Sequence, residues 1–403
     1  MQEVTFTLRV LTPLFLAGAD CQSIPIPPKK QQGKHSYATQ GWDLQAELRS
    51  PSFRGLMRYW LRTAAHGLGS TAEIALKDVM LFERSVFGAT DYGSAINIRV
   101  ANVSKKAERF RKDKESFSQE NITGKDYLLW SMAERGKSED YKPGRWYFPE
   151  GTLFDVVLSE RILDSAVPQA LPFAIASMWL LVYLGSIGSR SHRCAGSIDV
   201  QHIVGDTMNL PFVQAASQKE LQITLQHGLQ EMRTLYATRV KRPERQDSNE
   251  PLKHAPFDSL LLPRVDDFSG SPHYSRLWIL TQHTGLPWQS LKDAMNTIGT
   301  KLKEYRSSLS PQERATFGLP VNINLSDREL EKALKENRRT SPLLLRMTKL
   351  SNGEYVGIAV LFKTPFAPIT NPNSKHVLIP VPNYALIERW ITTAFPRALE
   401  VLL

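Results

Sequence analysis

Cysteine is nearly absent: Cys21 and Cys194 are the only two in 403 residues, and no CxxC pair occurs. A disulfide framework and a thiolate zinc site are thereby excluded, and a reducing compartment is expected. The nine histidines stand singly, without the i, i+4 pairing of a helical zinc site, so no metal and no cofactor is expected. No G-x-S-x-G elbow occurs, and Gly136-Lys137-Ser138 only imitates a phosphate-binding loop, because Ser131 stands where that motif needs glycine. No run approaches the ~18 apolar residues of a membrane span. The N-terminus, Val4-Thr5-Phe6-Thr7-Leu8-Arg9-Val10, alternates like a strand and lacks the apolar core of a leader. A soluble, cytoplasmic chain with no membrane partner is expected.

What is present is ordinary globular composition, 42% hydrophobic and 22% charged, in a chain longer than one core usually serves. Two domains are expected, over 1–205 and 206–403. Lys and Arg number 50 against 40 Asp and Glu, a formal +10 that favours an anionic partner, nucleic acid first.

In the first half, patterning places a strand at 3–11, a helix from Ser52 to about Ala65 and a strand at 94–103. A strand at 152–160, a buried helix at 169–184 and a strand at 197–204 follow. This β-α-β-β-α-β order is that of a ferredoxin-like, RRM-like domain. Residues 104–145 are dense in charge and read as an insertion, expected to be mobile because little core offsets its ordering. Past 205, helices are expected at 216–238, 287–306 and 383–395, and 241–251 reads as a hydrophilic linker. Strand-like Leu277-Trp278-Ile279-Leu280 and two strands at 342–350 and 354–362 complete this half. Asn352-Gly353 turns the last two strands into a hairpin, since Asn-Gly tolerates positive φ.

Two basic segments carry the functional reading. In Gly188-Ser189-Arg190-Ser191-His192-Arg193-Cys194-Ala195-Gly196-Ser197, glycine lets backbone N–H groups approach an anion, serine adds neutral donors and arginine adds forked, charged ones. A helix–strand turn alone explains Gly188 and Gly196 but not Arg190, His192 and Arg193. In the second segment, Arg54, Arg58 and Arg62 recur every four residues and fall within about 80° of one another on a helix. Ser52, read as the N-cap, and Arg54 stand at the helix start, where free N–H groups and the dipole favour anions. Arg49 lies just before it. Of the aromatics Tyr59, Trp146 and Tyr147, most read as core and any exposed one as a stacking surface for bases. Asp20 reads as a turn former.

Together these segments resemble the RAMP superfamily of CRISPR–Cas proteins. The opening Leu11-Thr12-Pro13-Leu14-Phe15-Leu16-Ala17-Gly18-Ala19-Asp20, then Glu47 to Arg62, then Leu184 to Ser191, is similar to the first-numbered RAMP subunits of type III-B effectors. Phe317-Gly318-Leu319-Pro320 and Arg338-Arg339-Thr340-Ser341-Pro342-Leu343 extend the likeness through most of the chain. The resemblance implies an α+β fold of two ferredoxin-like domains with insertions. It implies a non-catalytic subunit that binds guide RNA near its 3′ end, helps capture target RNA and sits among other type III-B effector subunits. Many relatives read Arg-Gly-x-Gly where this chain has Arg193-Cys194-Ala195-Gly196, so Cys194 or Ala195 must tolerate that backbone. The RNA-binding set expected is Arg49, Ser52, Arg54, Arg58, Arg62, Gly188, Ser189, Arg190, Ser191, His192, Arg193 and Gly196. The rival expectation is a RAMP endoribonuclease that processes guide precursors, with His35 or His66 in proton transfer.

Overall fold

The computed structural model describes residues 2–25, 40–68, 76–112, 122–134, 143–161, 169–239, 275–364, 366–371 and 376–402. His35 and the linker expected at 241–251 lie outside them.

Strand β1 (Glu3–Val10) alternates as its sequence requires, burying Val4, Phe6, Leu8 and Val10 on one face. It lies between β3 (Leu153–Glu160) and β4 (Ile198–Val204), and β2 (Ile96–Ala101) pairs outside β3, giving the antiparallel order β2-β3-β1-β4. Helices α1 (Ser50–Leu68), α2 (Leu76–Phe87) and α4 (Leu171–Tyr183) accompany this sheet, with α1 after β1 and α4 after β3. The second half repeats the plan. β5 (Ser275–Leu280), β6 (Leu343–Lys349), β7 (Tyr355–Phe362) and β8 (Leu399–Glu400) form an antiparallel sheet in the order β6-β7-β5-β8. Helix α6 (Leu291–Ser308) follows β5 and α7 (Ala385–Ala394) follows β7. Both sheets therefore carry the ferredoxin-like β-α-β-β-α-β connection. The hairpin between β6 and β7 turns at Gly353, with φ 93°, as the Asn-Gly signal requires.

The two halves share one core. Leu277, Ile279, Leu344, Ile358, Val360 and Phe362 on one face of the second sheet pack with α1, α4 and α5 (Gln218–Arg239). The opposite face, with Trp278, Leu280, Leu343, Leu345 and Leu361, packs on α6 and α7. Cover on both faces explains why β6 and β7 are apolar runs rather than alternating strands. Trp60 of α1 lies 6.2 Å from Phe362, ring to ring, and is 1% exposed. Truncating a buried side chain of this size costs ~3–5 kcal/mol, of which the contact with the second half is one part.

The outer face of the first sheet is polar. Thr7 donates to Asp155 at 2.7 Å, and Arg9 pairs with Asp199 at 2.5 Å. Thr5, Thr7 and Arg9 of β1 and Arg99 of β2 lie on this face.

Part of the insertion departs from expectation, and 113–121 and 135–142 lie outside the described residues. Helix α3 (Gly124–Leu129), capped by Thr123 accepting from the Asp126 amide at 3.2 Å, lies directly on α6. Phe110, Leu128, Leu129 and Met132 join the core of the second half. Residues 122–134 are thus packed rather than a mobile charged segment.

Candidate nucleic-acid interface

The segment Pro13–Leu16, just past β1, ties the two basic motifs together. On one side Gly196 N donates to the Pro13 carbonyl at 3.0 Å and Ser189 N to the Phe15 carbonyl at 2.8 Å. On the other, Glu47 N donates to the Leu16 carbonyl at 2.9 Å, delivering the chain to the start of α1. Motifs some 140 positions apart in sequence thus flank one short strip.

Backbone approach explains the glycines. A Cβ on Gly188 (φ 85°) would lie 2.3 Å from the Phe15 carbonyl oxygen, and one on Gly196 (φ 64°) 1.8 Å from that of Ile187. Cys194 takes the left-handed conformation, φ 63°. Its amide donates to the Leu345 carbonyl at 2.8 Å, and its thiol is fully buried and pushed up to about 12 by burial. Of Cys194 and Ala195, the two residues expected to tolerate a glycine-like backbone, Cys194 is the one at positive φ.

The loop's basic side chains turn inward. Arg190 Nε donates to the Leu128 carbonyl at 2.9 Å. Arg193 donates to the Phe317 carbonyl at 3.0 Å and is 9% exposed; its pKa falls to about 9, chiefly by burial and then through Arg306 and Arg190. His192 Nδ1 donates to the Ser341 carbonyl at 2.9 Å, and burial followed by Arg193 lowers its pKa to about 4, so the ring is neutral at pH 7. These three side chains lock the loop to α3 and the second half. Ser189 is exposed, and Gly188 and Ser191 are half-buried.

Helix α1 begins at Ser50, two residues before the expected N-cap, so Ser52 sits in the first turn beside Pro51. No acidic residue occupies that turn. Arg54 is half-buried, its pKa lowered by burial and then by Arg58 and Arg161. The Nε of Arg49 is buried without a hydrogen-bond partner among the described residues. Farther along, Arg58 Nε and Arg62 donate to opposite oxygens of Glu83, the latter at 2.6 Å, and Glu83 is 1% exposed. The expected basic stripe thus has no ion pair at Arg54 among the described residues and shares a carboxylate at Arg58 and Arg62. Sequence reasoning missed Glu83 and Arg161, single charges without a motif around them. His66 is buried, and no group of three His, Cys, Asp or Glu among the described residues is placed to hold a metal.

The RAMP superfamily model matches residues 7–199, from β1 through the glycine-rich loop to the start of β4. Over these residues the chain resembles the RAMP superfamily. Two similar proteins come from Pyrococcus furiosus. CRISPR system Cmr subunit Cmr1-1 is 26% identical over 335 residues, covering 82% of this chain and 85% of the relative. Cmr subunit Cmr1-2 is 29% identical over 210 residues, 50% of this chain and 96% of the relative. The crystal structure of apo Cmr1 from the same organism shares the fold over 100% of this chain and 99% of its own, with TM-score 0.57 and 19% identity. A chain in the cryo-EM structure of type III-B Cmr-beta bound to cognate target RNA also shares it, with TM-score 0.51 and 12% identity over 98% and 100% of the two chains. The doubly ferredoxin-like architecture is thus common to this chain and these solved structures. No described helix is long and apolar enough to cross a membrane.

Proposed function

We propose that this protein is a RAMP-type, non-catalytic, RNA-binding subunit of a type III-B CRISPR ribonucleoprotein, lying near the 3′ end of the guide RNA and helping to capture target RNA. The relatives named as Cmr subunits support the assembly. The observation that carries the RNA contact is the strip itself: Arg49, Ser52 and Arg54 at a helix start without acidic residues, beside exposed Ser189. Arg54 has two cationic neighbours, Arg58 and Arg161, and a phosphate resting there relieves their repulsion. Arg190, His192, Arg193 and Gly196 position the loop, while Ser189 and Ser191 present its hydroxyls beside half-buried Gly188. Sequence is read by pairing of guide with target, so phosphate contacts suffice for the protein.

Ultraviolet crosslinking of RNA to the purified full chain, with mapping of the linked peptides, tests this reading. Links within 47–62 and 186–197 are expected. RNA cleavage by the chain alone would support the endoribonuclease instead, and absence of any link would overturn RNA contact.

A further inference from the structure

Beside the strip lies a second feature with its own chemistry. The short strand Glu108–Arg109 pairs antiparallel with Trp146–Tyr147, and with α3 they border an open groove of about 760 Å³. Arg109, Arg111, Lys125, Trp146, Tyr147 and Glu150 are among its lining residues. The Arg109 guanidinium lies 4.4 Å from the Trp146 ring centre and donates to the Gly144 carbonyl at 2.9 Å, so cation and indole are held together. The Tyr147 hydroxyl donates to Glu108 at 2.7 Å, and its ring lies 5.6 Å from those of both Phe15 and Phe110. Trp146 and Tyr147 are half-buried, presenting ring surface that is held in place without being consumed by the core. Arg111 is exposed and has no ion partner among the described residues.

The groove adjoins the strip through Phe15, whose ring packs on Tyr147 and whose carbonyl accepts from Ser189. Pro13 borders both. A backbone passing Ser189 therefore has an aromatic, cation-lined recess next to it. We propose that this groove receives one unstacked nucleotide of single-stranded RNA, its base against the Trp146–Arg109 pair or Tyr147 and its phosphates toward Arg111 and Lys125. Flat ring surface beside mixed charge suits a base, which offers a π-face whatever its identity. An acidic peptide would meet Glu108 and Glu150 as well as the cations. The inference rests on the RNA-binding reading and adds a base contact to it.

The test compares a short single-stranded RNA with the same strand made abasic, each bound to the full chain and to its Trp146→Ala, Trp146→Phe and Arg111→Ala variants. Trp146→Ala should weaken the base-bearing strand about tenfold and leave the abasic strand and the salt slope unchanged. Trp146→Phe should retain most of the affinity, which separates stacking from misfolding. Arg111→Ala should weaken both strands and make the slope of log K against log salt shallower by roughly 0.7. Wild-type affinity in Trp146→Ala, an equal loss for both strands, or preferential binding of poly-glutamate in the groove would each overturn the proposal. If Arg54→Ala impairs RNA binding while Trp146→Ala does not, the groove alone is refuted. If the wild type binds no RNA, the wider reading falls with it.

Discussion

Gly124 and Gly299 meet backbone to backbone: a Cβ added at Gly299 would lie 2.0 Å from the Gly124 carbonyl oxygen. This contact docks α3, part of the first half's insertion, onto α6 of the second. Gly299→Ala should therefore destabilise the protein by about 1–3 kcal/mol through overpacking. On helix propensity alone the same change would stabilise by about 1 kcal/mol, so the sign of the shift in melting temperature decides. Faster amide exchange across 122–134 should accompany it. A raised melting temperature would show that the helices are not pressed together.

The His192 ring gives the fold an acid limb. Its folded pKa of about 4 lies below its ordinary value of 6.5, so the unfolded chain binds the proton more readily. Stability from this group is complete above about 6.5 and is lost as pH falls through the window toward 4. Denaturant midpoints measured across that window should fall with acidification, and His192→Gln should flatten the trend. An identical trend in the variant would assign the acid sensitivity elsewhere.

Much of the fold was legible because apolar periodicity is imposed locally. The alternation of β1 and the Asn352-Gly353 hairpin stand where patterning puts them, and the first half's order emerges from it directly. The insertion was not legible: its charges dominate the pattern, whereas its docking combines a few scattered apolar residues with the Gly124–Gly299 contact, which has no side chain to signal a partner. The candidate site was legible as a pair of motifs but not in its division of labour. Arg193 and Ser189 are both polar loop residues in sequence. Only the fold shows that the Phe317 carbonyl draws the arginine inward while Ser189 faces solvent. Glu83, which engages Arg58 and Arg62 from another helix, likewise carries no local mark.

Cys194 should be chemically silent. Its thiol is buried and its pKa is raised to about 12 by burial, leaving almost no thiolate at pH 8. Iodoacetamide treatment of the native chain, followed by peptide mass spectrometry, should find Cys194 unmodified until denaturant is added. Rapid native labelling would mean that the loop opens far more readily than its contacts with Leu345 and Phe317 allow.

The central claim is that RNA phosphate meets the start of α1 and the exposed tip of the loop, while the loop's inner arginines only hold it in place. The most direct measurement is the salt dependence of single-stranded RNA affinity for the wild type, Arg54→Ala and Arg193→Met. Arg54→Ala should lower affinity for unrelated sequences alike and make the slope of log K against log salt shallower by roughly 0.7, one phosphate's worth. Arg193→Met, which keeps the buried volume, should leave that slope unchanged. An unchanged slope in Arg54→Ala together with a shallower one in Arg193→Met would contradict the account and place the phosphate among the buried arginines.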